Sequence, residues 1–120
     1  MRTAVGLGVT LKGVGEHTRA RGLLEDALTG LVRVLGEDHP DVLPVRDNLG
    51  IVLRQLGEYR AAESMLRDTR SRSARLLGSG HPRTRLTTEA LASVLTATGR
   101  PFEAQRLLAR IPRRNRRGTK

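Results

Sequence analysis

The sequence predicts an all-α chain, an α-solenoid of antiparallel helix pairs with about two and a half to three repeats. Three observations carry that expectation. The chain resembles itself at a fixed offset of 42 residues. Both halves of each repeat space their apolar residues for a helix. Gly and Pro interrupt those halves at fixed places.

The segments GEHTRARGLL from Gly15, GEYRAAESML from Gly57 and GRPFEAQRLL from Gly99 start 42 residues apart. The same offset relates Leu35-Gly36 to Leu77-Gly78 and His39-Pro40 to His81-Pro82. It also aligns Leu7, Leu49 and Leu91; Leu11, Leu53 and Leu95; Ala20, Ala62 and Ala104; and Leu24, Leu66 and Leu108. One register holds over the whole chain without a gap, which chance similarity does not do.

Each unit reads as two helices. In the first unit, Met1 aligns with Leu43, so the chain opens inside the first turns of a first helix. Gly6, Gly8 and Gly13 each cost that segment about 1 kcal/mol relative to Ala, which makes it the stretch most prone to fray. The second helix of this unit carries an inner stripe of Ala20, Leu24, Ala27, Leu28, Leu31, Val34 and Leu35, with Arg19, Glu25 and Arg33 opposite. In the middle unit, Pro40 or Asp41 opens a helix with apolar residues at Val45, Leu49, Val52, Leu53 and Leu56, and Gly57 stops it. A second helix starts at Glu58-Tyr59, presents Ala62, Leu66, Thr69, Ser73, Leu76 and Leu77 inward, and ends at Gly78. Pro82 begins the third unit, whose second helix is cut short before Pro112. The expected units are 1–39, 40–81 and 82–110, followed by a disordered basic tail over 111–120. Small residues align at Gly8, Gly50 and Ala92 in the first helices and at Ala20, Ala62 and Ala104 in the second, where helices approach closely.

The run Asn48-Leu49-Gly50, with Leu53, Gly57, Tyr59, Ala61-Ala62 and Leu66, resembles the tetratricopeptide consensus. The linker from Leu35 to Asp41 resembles the 42-residue variant of kinesin light chains and of bacterial, including actinobacterial-type, repeat proteins. The resemblance covers about residues 1–110. His17 and Pro101 depart from it where Tyr59 stands, and Arg100 replaces the acidic residue after the turn glycine. The family implies a right-handed superhelix whose concave groove, lined by the first helix of each unit, holds a peptide or docks a protein. Carried onto this chain, groove positions are Asp47, Asn48, Ile51, Arg54 and Gln55; Glu89, Ala90, Ser93, Thr96 and Ala97; and Val5, Gly6, Val9 and Lys12. Asn48 resembles a family asparagine that bonds a bound peptide's backbone, since an amide offers a donor and an acceptor together. These residues carry both signs of charge, so the ligand's sign does not follow.

Composition narrows the rest. With no cysteine, disulfides, thiol catalysis and cysteine-ligated zinc are excluded, and a reducing cytoplasm is compatible. Tyr59 and Phe102 are the only aromatic residues, too few for base stacking. The net charge is +10, and Lys12 and Lys120 are the only lysines; a GC-rich coding genome explains that arginine skew without a functional cause. The basic tail, with Arg113, Arg114, Arg116 and Arg117, offers a second reading: a sequence-independent contact to nucleic acid phosphates. Nothing approaches the roughly 20 apolar residues of a membrane span, and the mildly apolar start lacks a small-x-small cleavage site. His39 and His81 hold one place in successive units and are expected to serve helix starts; His17 takes a packing position. No His-Glu-x-x-His, Gly-x-Ser-x-Gly or phosphate-loop motif occurs. The expected protein is therefore a non-catalytic cytoplasmic scaffold with no cofactor, metal or membrane partner, binding a protein or peptide as part of a larger regulatory protein. Few repeats and no polar cap point to a fragment, a truncated copy, or self-association through uncapped terminal repeats.

Overall fold

A computed structural model describes residues 3–112, with side chains from Gly15 onward. The chain forms α1 (Thr3–Leu35), α2 (Val42–Gln55), α3 (Tyr59–Leu77), α4 (Pro82–Ala97) and α5 (Pro101–Ala109), and no strand occurs among the described residues. Each helix packs on the next, and α2 also touches α4. The turns follow the repeat. At Gly57 (φ 83°) the Glu58 amide donates to Leu53 O and the Gly57 amide to Arg54 O; at Gly99 (φ 83°) Arg100 and Gly99 repeat this onto Leu95 and Thr96. Both are Schellman closures, which need the left-handed backbone that glycine adopts without strain. The aligned histidines start the helices that follow: His39 Nδ1 accepts from the Asp41 amide and His81 Nδ1 from the Arg83 amide, each at 3.0 Å.

The core runs as one seam through Leu49, Leu53, Ala62, Leu66, Leu91, Ala92, Val94, Leu95, Ala104 and Leu107. Its centre is α3, whose Ala62, Leu66, Thr69 and Ser73 are sealed between α2 and α4. The polar members of this interface are bonded. Thr69 Oγ1 donates to Met65 O and accepts from Arg46 Nε; Ser73 Oγ and Thr84 Oγ1 share a 2.7 Å bond; Thr88 Oγ1 donates to Thr84 O. Gly50 sets how closely α2 and α3 approach. A Cβ there would sit 2.5 and 2.6 Å from Cδ2 and Cγ of Leu66, which is itself fully buried. The matching pair in the next unit is Ala92 and Leu108; Leu108 is 39% exposed, and that position holds an Ala.

The first unit departs from the expected helix pair. α1 continues unbroken past Gly15, which stays out of the left-handed region that Gly36, Gly57, Gly78 and Gly99 adopt. Continuing the helix keeps every backbone hydrogen bond, whereas a turn must be offset by packing the short glycine-rich segment back onto the chain. The expected inner stripe of α1 is correspondingly half covered. Ala20, Leu24, Leu28 and Leu31 are partly buried, while Ala27, Val34 and Leu35 are exposed because, among the described residues, only α2 lies against this helix.

Charge pairs tie each turn to the preceding unit. Arg21 on α1 bonds Glu58 at the α2–α3 turn, and 42 residues on Glu63 on α3 bonds Arg100 at the α4–α5 turn. The two bridges are one contact with its charges exchanged. The departure of Arg100 from the acidic consensus is thereby compensated on the facing helix. Hydrogen bonds from Arg100 and Arg67 hold the Glu63 carboxyl below its ordinary value.

Gly50→Ala is expected to destabilise the fold. Overpacking costs about 1–3 kcal/mol and exceeds the ~1 kcal/mol gained in helix propensity, because Leu66 has nowhere to move. Thermal melts check this, and combining Gly50→Ala with Leu66→Ala should cost less than the two changes separately. Glu63 gives a pH signature. Its lowered folded pKa means the pairing contributes fully above the ordinary glutamate value and is lost as pH falls through the folded value. Glu63→Gln should therefore flatten the acid limb of stability against pH, measured by urea unfolding across the glutamate range.

Candidate protein-binding groove

Burial of α2 and α4 on the seam leaves each with an outward stripe in the same register. On α2 it is Pro44, Asn48, Ile51 and Gln55; on α4 it is Leu86, Ala90, Ser93 and Ala97. Steps of four, three and four residues keep each set on one helix face, and the two sets are in 42-residue register. The two helices that carry the stripes are in contact. Asp47, at the margin of the α2 stripe, makes the link: Oδ2 accepts from Arg83 Nη1 at 2.9 Å and Oδ1 from Thr87 Oγ1 at 2.6 Å.

Asn48 and Gln55 are exposed, and Ile51 and Arg54 are half-buried between them. Glu89, Ser93, Thr96 and Ala97 are exposed on α4, and Ala90 packs partly on the core. Asn48, Arg54, Gln55 and Ser93 have no side-chain hydrogen bond or ion pair among the described residues, so their polar groups face solvent. Glu89 reaches only Arg85 of its own helix, at 3.6 Å. Asp47 is different: it is 4% exposed, and both carboxylate oxygens are committed to α4. Burial pushes its carboxyl above the ordinary value, against the opposing bonds from Thr87 and Arg83. Its placement suits a clamp between helices. Val5, Gly6, Val9 and Lys12 precede the residues whose side chains are described, and tail residues Arg113, Arg114, Arg116 and Arg117 lie outside the described residues.

The groove also contains residues that sequence reasoning missed. Leu86 is 55% exposed at the head of the α4 stripe, and Pro44 holds the same place on α2. Stepping back four residues from Asn48 and Ala90 reaches both. Together the two stripes offer free amides and a guanidinium beside apolar steps at Ile51 and Leu86. Such a surface suits an extended chain, whose backbone supplies donors and acceptors and whose side chains alternate. Among the described residues no cluster of three His, Cys, Asp or Glu could hold a metal, and no helix is long and apolar enough to cross a membrane.

A model of the tetratricopeptide repeat family matches residues 1–74. No curated protein matches the chain.

The clamp predicts a graded response. Asp47→Ala should cost about 1–3 kcal/mol, because Thr87 and Arg83 lose a buried acceptor. Asp47→Asn should cost less, since its carbonyl still accepts one bond. Chemical denaturation of both variants against the parent chain checks the order.

Proposed function

This chain belongs to the tetratricopeptide repeat family, and on that premise we propose that it is a non-catalytic scaffold that holds an extended peptide or protein segment along the outward faces of α2 and α4. Repeats of this family generally mediate protein–protein interaction. The observation that carries the reading is the pair of adjacent stripes in one register, with Asn48, Arg54, Gln55 and Ser93 lacking internal partners. In the proposed complex Asn48 and Gln55 bond the ligand backbone, and Arg54 with Glu89 reads its charged groups. Ile51 and Leu86 supply apolar contact. Asp47 acts through α4 and touches no ligand.

Binding peptides selected from a random displayed library supply the probe. The double variant Asn48→Ala/Arg54→Ala removes two bonding groups, each worth about 0.5–1.5 kcal/mol net, and should weaken a selected peptide by about tenfold. Because neither side chain bonds the fold, melting should be unchanged. Undiminished binding by the double variant, alongside loss on Arg106→Ala on α5, would move the site off this face.

A further inference from the structure

A cleft of about 420 Å³ lies between α3 and α5, lined by Arg67, Glu103, Arg106, Leu107, Ala109 and Arg110. Arg67 crosses it to Glu103 at 3.1 Å. The acids at this place are already balanced, because Glu63 and Glu103 are each bridged by the same two cations, Arg67 and Arg100. Arg106 and Arg110 have no carboxylate partner among the described residues. Neither has Arg70, which is close enough for Arg110 and Arg67 to act on its charge. No acidic side chain outside the described residues can supply one, since all 12 Asp and Glu of the chain fall between Glu16 and Glu103.

Arg70 is held in place for a ligand. It is half-buried, and its Nε donates to Thr88 Oγ1 at 3.1 Å, which fixes the guanidinium. No buried side-chain nitrogen or oxygen among the described residues lacks a partner. The two Nη groups of Arg70, which bond no described residue, are therefore open to solvent. Burial, then Arg110 and Arg67, push this guanidinium below the ordinary arginine value. A bound anion relieves both effects. The repeat shows that stacking does not demand these charges. One unit earlier, the positions of Arg67, Arg70, Arg106 and Arg110 hold Glu25, Leu28, Ser64 and Asp68, and Leu28 packs on the core. A guanidinium thus stands where the preceding unit uses a leucine.

We propose that the α3–α5 cleft binds the dianionic phosphoryl group of a phosphate monoester, held by Arg70, Arg106 and Arg110. Three uncompensated cations exceed what one carboxylate neutralises. A phosphoryl group brings nearly two charges and three acceptor oxygens, which guanidinium forks match in pairs. A phosphodiester carries only one charge, so a nucleic acid backbone fits less well. The group belongs either to a phosphorylated side chain of a partner or to a free phosphate, and the same oxygens are read in both. The cleft is built by α3 and α5 and the peptide groove by α2 and α4, so phosphate binding here neither requires nor excludes a peptide there.

Phosphorus NMR of inorganic phosphate, titrated with the full chain at constant ionic strength, tests the site. A saturable shift is expected. Arg106→Gln/Arg110→Gln, at exposed positions, should weaken binding by about tenfold or more, since two charge-assisted contacts are lost. Arg70→Leu, which installs the residue type of the preceding unit, should do the same with helical circular dichroism intact. Arg19→Gln/Arg33→Gln, which removes two exposed cations from α1, should leave binding unchanged. A serine-phosphorylated peptide that displaces phosphate and binds more tightly than both phosphate and its unphosphorylated twin assigns the group to a modified partner; a phosphopeptide with no advantage over phosphate assigns it to a free small molecule. No saturable shift, an equal loss on Arg19→Gln/Arg33→Gln, or competition by acetate or by a phosphodiester oligonucleotide as strong as by the monoester refutes the proposal.

Discussion

A helix whose buried stripe is wider than one neighbour can cover needs two, and the rest of this structure depends on α3 having both. Ala62, Leu66, Thr69 and Ser73 are fully buried because α2 and α4 lie on either side. The arrangement works only at close range, which is why Gly50 stands opposite Leu66. The groove follows from this packing. Once α2 and α4 share α3, their remaining faces must lie next to each other and outward. The surface proposed above for a partner is thus a product of stacking itself.

The charges act on the same geometry. Arg21, Arg46, Arg67, Arg72, Arg75, Arg83 and Arg100 are each paired with a carboxylate on another helix or turn. Arg72 and Arg75 reach Asp38 in the loop before α2, holding that loop against α3. Individually such exposed pairs contribute little. As a set they favour the alignment of each unit on the next that brings these opposite charges together. Arg70 lacks a carboxylate partner among the described residues; it donates to Thr88, and burial followed by the nearby Arg110 and Arg67 lowers its pKa. Much of the positive charge in residues 15–112 is thus turned toward neighbouring helices.

Most of the fold was legible because the repeat prints one structural unit more than once. The ends of α2, the starts of α3 and α4, the left-handed glycines and the Thr69–Ser73 stripe all lie where the 42-residue register places them. The exposure of Asn48, Gln55 and Ser93 was legible from the helical period, because they lie outside the apolar stripe of their helices. Two things were not. Whether Gly15 turns or stays helical depends on what packs against the segment before it, and a periodic pattern is silent about neighbours. Asp47 and Glu89 align perfectly in sequence, yet one is buried and the other exposed, because only Asp47 has Arg83 and Thr87 within reach. The reversed Arg21–Glu58 and Glu63–Arg100 bridges were hidden for a related reason. Read one position at a time, Arg100 is a departure; read as a pair, it conserves the contact.

That difference between Asp47 and Glu89 bears on how one repeat position serves two ends. Between α2 and α4, the carboxylate holds adjacent first helices together and sets the spacing of the two outward stripes. A ligand that needs Asn48 on one helix and Ser93 on the other meets a distance fixed by that bond network, so less ordering remains to be done on binding. At Glu89 the same position faces solvent, bonded only weakly along its own helix. Its carboxylate can therefore meet a cationic group on a partner much as Asp47 meets Arg83. Arg83 and Thr87 of the neighbouring first helix commit Asp47, whereas Glu89 bonds along its own helix; the packing of the neighbouring helix decides which state one repeat position takes.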